Sequence, residues 1–139
     1  MKTIKGKGIV EGVAKGPAII STKPFGFFGG VNPGTGIIID KWHELYGESI
    51  KGKVFIYPEG RGSTVGAAII LELARTGCAP AAIINANIET ITAGGGVMAK
   101  TFYDVEIPMV DGIDKDQLLS IKEGTMIEVD GTTGTITIL

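Results

Sequence analysis

From Lys53 to Asn85 the chain passes from an apolar, β-rich run through a glycine-rich turn into a string of helix formers, then back into an apolar run. A strand, a helix and a second strand in that order constrain the fold more than any other feature of the sequence. Val54 to Tyr57 supply the first strand and Pro58 and Gly60 end it. Ser63 to Arg75 carry the helix until Thr76-Gly77 stops it, and Ala81 to Asn85 supply the second strand. Strands joined this way lie parallel with a right-handed crossover, so the expected class is α/β. Ser63 or Thr64 then sits at a helix N-terminus. There the backbone N–H groups lack intrahelical partners and the positive end of the helix dipole favours an anion. Arg61 adds a cation beside it.

The flanks read as β-rich. Ile4 to Val10 and Val13 to Ile20 are expected strands, separated by Glu11-Gly12, with a bulge or bend at Lys15-Gly16-Pro17. Ser21 to Thr35 has no period of either kind, which predicts a loop of about fifteen residues, a length that in a compact domain signals function or disorder. Phe25, Phe27 and Phe28 favour a loop that packs. Gly36 to Asp40 reads as a short strand and Trp42 to Ile50 as a polar connection that leaves His43 solvated. Ile88 to Ala99 is a second helical segment, weakened by Gly94-Gly95-Gly96. Glu106 to Val110 is a strand, Asp114 caps a short helix to Leu119, and Thr125 to Val129 and Thr133 to Ile138 form a terminal hairpin around Asp130-Gly131.

Composition narrows the function classes. With 139 residues and 44% hydrophobic content, one domain spanning 1–139 is expected, a single core without a linker. A net charge of −2, with both signs mixed along the chain, argues against a nucleic-acid footprint. The one cysteine, Cys78, excludes an internal disulfide and cannot by itself hold an iron–sulfur cluster. The N-terminal residues lack the apolar core of a signal peptide, and the most hydrophobic window, Val65 to Leu73, is too short to span a bilayer. A cytoplasmic protein without a membrane partner is the expectation.

The glycine-rich turn admits two readings. Gly60-x-Gly62-x-x-x-Gly66 lacks the Walker lysine and the dinucleotide spacing, so as a nucleotide site it is weak. Ser63 or Thr64 as an N-cap, worth about 1 kcal/mol, accounts for the hydroxyls without chemistry. The alternative makes Ser63 an active hydroxyl whose alkoxide is stabilised by helix N–H groups and Arg61. Asn32, Asn85 and Asn87 occupy loop positions where both turn-forming and ligand-facing roles are open.

Phe28-Gly-Gly-Val-Asn-Pro-Gly-Thr-Gly36, Pro58-Glu-Gly-Arg-Gly-Ser-Thr-Val-Gly66 and Gly77-Cys-Ala-Pro-Ala-Ala-Ile83, taken with Gly52-Lys-Val and Leu71-Glu-Leu, resemble the small subunit of the aconitase X family over nearly the whole chain. The resemblance implies a swivelling β/β/α domain that closes over the active site of a larger partner subunit. It implies a hydro-lyase reaction on a phosphorylated hydroxy acid: loss of water from (R)-5-phosphomevalonate, in the archaeal mevalonate pathway, to give trans-anhydromevalonate 5-phosphate. A [4Fe-4S] cluster is expected on the large subunit and no cofactor on this chain. The matching serine, Ser63, is the expected proton-abstracting base. Arg61, Gly62 and Thr64 of the same turn, with Asn32 of the aromatic loop, are the expected substrate contacts. Asn32 departs from the family, which usually has Asp after Gly-Gly-Val, so a charged role there is not carried over. Another dehydratase of the same family, such as one acting on a hydroxyproline, and a purely structural subunit are the competing expectations.

Overall fold

The computed structural model describes residues 2–60, 64–87 and 90–139. Its elements run β1 (Lys2–Lys5), β2 (Lys7–Val10), β3 (Val13–Ile20), β4 (Val54–Ile56), α1 (Thr64–Thr76), β5 (Ala82–Ile84), α2 (Thr90–Tyr103), β6 (Met109–Asp111), α3 (Lys115–Leu119), β7 (Met126–Asp130) and β8 (Thr135–Ile138).

The strands form an eight-stranded sheet in the order β1-β8-β7-β3-β4-β5-β6-β2. Its two edges are consecutive in the chain, with only Gly6 between them. A flat sheet of that size is roughly 33 Å across, whereas one residue spans about 3.6 Å. The sheet therefore curls until its edges meet, giving two β layers around a common interior. Gly6 is the crossing point: its N–H bonds the Gly134 carbonyl at 2.8 Å, and a Cβ there would stand 2.6 Å from the Asp111 carbonyl oxygen. This splits the single expected strand, Ile4 to Val10, into β1 and β2. The Lys15-Gly16-Pro17 segment does not interrupt β3 but marks its change of partner, antiparallel to β7 up to Pro17 and parallel to β4 from Ala18.

Side chains alternate across the sheet with the period of two that a pleated strand imposes. Val54, Ile56, Ala82 and Ile84 face the enclosed interior with Ile4, Ile127, Val129 and Ile136, and α3 contributes Leu118. Phe55, Tyr57 and Ile83 face outward into a second core with Ile70 and Leu73 of α1 and Ala99 of α2. The β4, β5 and β6 strands are parallel, as the strand–helix–strand pattern requires. Together these layers make the expected β/β/α arrangement.

Two further expectations change. The triple glycine does not interrupt α2, and two of the three serve packing: Gly96 sits where a Cβ would meet Met109 Cε at 2.6 Å, while Gly94 faces open space. A Cβ on Gly95 would lie 3.1 Å from the Ala67 carbonyl oxygen and 3.2 Å from Ile70 Cβ, so its absence lets α1 and α2 approach. Ser21 to Thr35 is a loop that packs, as expected, with Phe25 and Phe27 buried and Phe28 exposed, but Gly36 to Asp40 makes only isolated bridges, Ile38 to Val31 and Ile37 to Ser49, and not a strand. Residues 21–52 form an ordered lobe from which Phe25, Phe27, Val31, Ile38, Leu45 and Ile50 all enter the outer core beside α1.

Candidate functional site

The strand end before the glycine-rich turn is clamped from both sides. Beyond β4, the Pro58 carbonyl accepts hydrogen bonds from the Ala86 and Asn87 N–H groups, each at 3.0 Å, and the Glu59 carbonyl accepts one from Phe25 N–H at 3.1 Å. Parallel bridges join Glu59 to Asn87 and Phe25 to Gly60. The chain leading into the turn is thus fixed by the segments following β5 on one flank and β3 on the other. Ser63, Arg61 and Gly62 lie outside the described residues, and of Thr64 the backbone is described as the first residue of α1.

Two helix N-termini meet at this end of the sheet. Both α1 and α2 begin beyond the C-terminal ends of parallel strands, and Gly95, early in α2, packs on Ala67, early in α1. Neither helix carries an acidic residue in its first turn. Among the described residues the two positive dipole ends meet no acidic first-turn side chain, an arrangement that favours an anionic group at the crevice where open α/β sheets bind ligands.

Beneath it lies Asn85, fully buried, whose Nδ2 donates to the Tyr57 carbonyl at 2.8 Å and ties the end of β5 to that of β4. Its Oδ1 has no hydrogen-bond partner among the described residues. Asn87 is exposed and pairs through its backbone.

Asn32 is not brought to this end. Its Oδ1 accepts the Gly34 N–H at 2.9 Å and its carbonyl accepts the Gly36 N–H at 2.8 Å, the pattern of a turn former. The next residue, Pro33, accepts a hydrogen bond from Thr76 Oγ1 at 2.7 Å at the C-terminal end of α1. A helix of 13 residues rises roughly 20 Å, so the length of α1 lies between Asn32 and the helix's N-terminal end. Cys78 is at that far end too, buried, with its Sγ 3.5 Å from the Gly34 carbonyl. One buried thiol there does not fit an iron–sulfur cluster, which takes several thiolates.

His43 corrects an expectation. It is only 8% exposed and packs edge-on against Phe25, with ring centroids 5.5 Å apart. Leu45 N–H donates to its Nδ1 at 3.1 Å, which puts the ring proton on Nε2, 3.0 Å from Ser21 Oγ. The Ser21 hydroxyl in turn donates to the Lys23 carbonyl at 2.8 Å. Glu44 closes the group: partial burial pushes its carboxyl up, but hydrogen bonds from the hydroxyl and N–H of Thr22 outweigh this and hold it below its ordinary value. Polar neighbours in sequence concealed the burial of His43, which comes from Phe25 and Ser21, about twenty residues upstream.

Comparison with known proteins agrees with this architecture. The family model for the aconitase X swivel domain matches residues 3–138. The chain is 47% identical over 133 residues to the phosphomevalonate dehydratase small subunit of Methanocella arvoryzae, covering 96% of each chain. It is 42% identical to the subunit of that name from Methanosarcina acetivorans, covering 98% of this chain and 90% of that one. The crystal structure of Thermococcus kodakaraensis aconitase X in its holo form superposes with a TM-score of 0.89 at 42% identity, covering 100% of this chain and 99% of the other.

Proposed function

The chain belongs to the aconitase X family as its swivel domain, and from that premise we propose that it is the small subunit of a phosphomevalonate dehydratase, a hydro-lyase active only with its large subunit. The observation that carries this is the 47% identity, over 96% of both chains, to a relative bearing that name.

The chemistry divides between two chains. Removing water from 5-phosphomevalonate takes a proton from the carbon α to the carboxylate and the hydroxyl from the carbon beside it. The α proton passes to the base and the C–H electron pair becomes the new π bond, while the hydroxyl leaves with the C–O pair and takes a proton from a general acid to depart as water, with no redox change. Ser63 is the base on this chain, at the start of a helix whose dipole lowers the cost of an alkoxide. Arg61 makes a charge-assisted contact to the substrate carboxylate or phosphate, and Gly62 and Thr64 complete the turn around it. With Asn32 at the other end of α1, substrate contacts are reserved for the turn at 61–64. A [4Fe-4S] cluster on the large subunit would supply the Lewis acid for the leaving hydroxyl; this chain, with one buried cysteine, has too few thiolates to hold it.

Anaerobic reconstitution tests the assignment. Turnover of 5-phosphomevalonate should require both chains; an assembled pair that dehydrates a hydroxyproline instead would move the substrate elsewhere within the family.

A further inference from the structure

The outer lobe presents large apolar side chains to solvent. Trp42 is 91% exposed, Phe28 67%, Tyr46 56% and Ile39 45%. Their backbone segments are neighbours: Ile39 N–H bonds the Gly30 carbonyl and Gly47 N–H bonds the Ile38 carbonyl, each at 2.9 Å. Trp42 sits in a tight turn, its N–H held by Asp40 Oδ1 at 3.0 Å and the His43 N–H by the Asp40 carbonyl at 3.1 Å. The next residue, His43, packs on Phe25, and Phe25 pairs with Gly60 at the entrance to the turn.

Exposure here is not that of a loose loop. The same lobe buries Phe25, Phe27, Val31, Ile38 and Leu45 beneath it, so these residues are held outward by an ordered support. Aromatic groups displayed on such a support are the residues that carry protein–protein binding. The position of Trp42 also limits the occupant: His43 beside it packs on Phe25, whose backbone bridges Gly60, so a partner that covers Trp42 reaches the flank of the segment entering the turn.

We infer that Phe28, Ile39, Trp42 and Tyr46 form the docking face for the large subunit, seated beside the catalytic turn and continuous with the shared active site. This rests on the two-subunit reading above. The face then aligns the Ser63 turn with the partner's reaction centre, and Trp42 is its central anchor.

Binding of the purified large subunit to full-length wild type, Trp42→Ser, Tyr46→Ser and Phe102→Ser tests this by sedimentation. Phe102, also exposed, is the control because it lies toward the C-terminal end of α2, away from the turn. Trp42→Ser and Tyr46→Ser should each raise Kd by about tenfold or more, with Phe102→Ser unchanged and kcat restored at saturating large subunit. Trp42 is the single tryptophan, so 5-fluorotryptophan placed in this chain should report its burial in the complex by ¹⁹F NMR. Unchanged affinity with a still-exposed label overturns the proposal. So does a wild-type chain that fails to bind the large subunit, or one that covers Trp42 by self-association. If the pair assembles through Trp42 but does not dehydrate 5-phosphomevalonate, the substrate assignment fails and the docking face stands.

Discussion

His43 Nε2 donates to Ser21 Oγ across 3.0 Å, joining the turn around residues 40–46 to the C-terminal end of β3. Because Nδ1 is occupied by the Leu45 N–H, the imidazole cannot take a proton from Ser21. The pair is a strut and not a nucleophile with its base, and it supports the lobe whose Phe25 bridges Gly60.

Ser21→Ala removes the buried hydroxyl that bonds His43 Nε2, the Lys23 carbonyl and the Lys23 N–H, a loss that costs about 1–3 kcal/mol. Urea denaturation should show that loss, with hydrogen exchange accelerating first in residues 21–49. A stability within a few tenths of wild type would remove the strut from the account.

Glu44 gives the lobe an acid-sensitive tie. Its carboxyl titrates below the ordinary value in the folded chain, so its contribution is present above the unfolded glutamate pKa, about 4.3, and is lost as pH falls through the lower folded value. Exchange protection of Thr22 and Lys23 should therefore fall across that acidic window in wild type and be flat with pH in Glu44→Gln. Identical profiles would contradict the assignment.

Gly95→Val places two methyl groups where even a Cβ is 3.1 Å from the Ala67 carbonyl oxygen. Forcing α1 from α2 should cost about 1–3 kcal/mol, by the ordinary price of overpacking, and should displace both helix N-termini. Thermal denaturation reads the first effect. Reduced kcat/KM in the reconstituted enzyme reads the second.

Asn85→Asp replaces the donor that holds the Tyr57 carbonyl at 2.8 Å with a buried carboxylate facing that same oxygen. A loss of about 3 kcal/mol or more is expected at neutral pH, easing on acidification as the carboxyl protonates. A pH-independent stability change would mean that the side chain has turned toward solvent.

The strand–helix–strand unit was legible because the hydrophobic period changes from two to 3.6 and back within Val54 to Ile84, and turn residues punctuate each change. Closure of the sheet was not. It depends on β1 pairing with β8 and β2 with β6, contacts between distant segments that local pattern does not encode. The glycines of α2 misled for a related reason, since propensity reports the isolated helix whereas Gly95 serves the space between two helices. His43 and Asn85 needed the fold as well: polarity was visible, burial was not. Ser63, Arg61 and Gly62 stand out by motif and resemblance and lie outside the described residues.

Anaerobic turnover of 5-phosphomevalonate by the two-subunit enzyme carrying Ser63→Ala tests the central claim most directly, with assembly checked by sedimentation. The account predicts an intact complex whose kcat falls by about 10²–10⁴-fold, the usual contribution of a positioned base. An intact complex with wild-type turnover would contradict it and return Ser63 to the role of a helix cap.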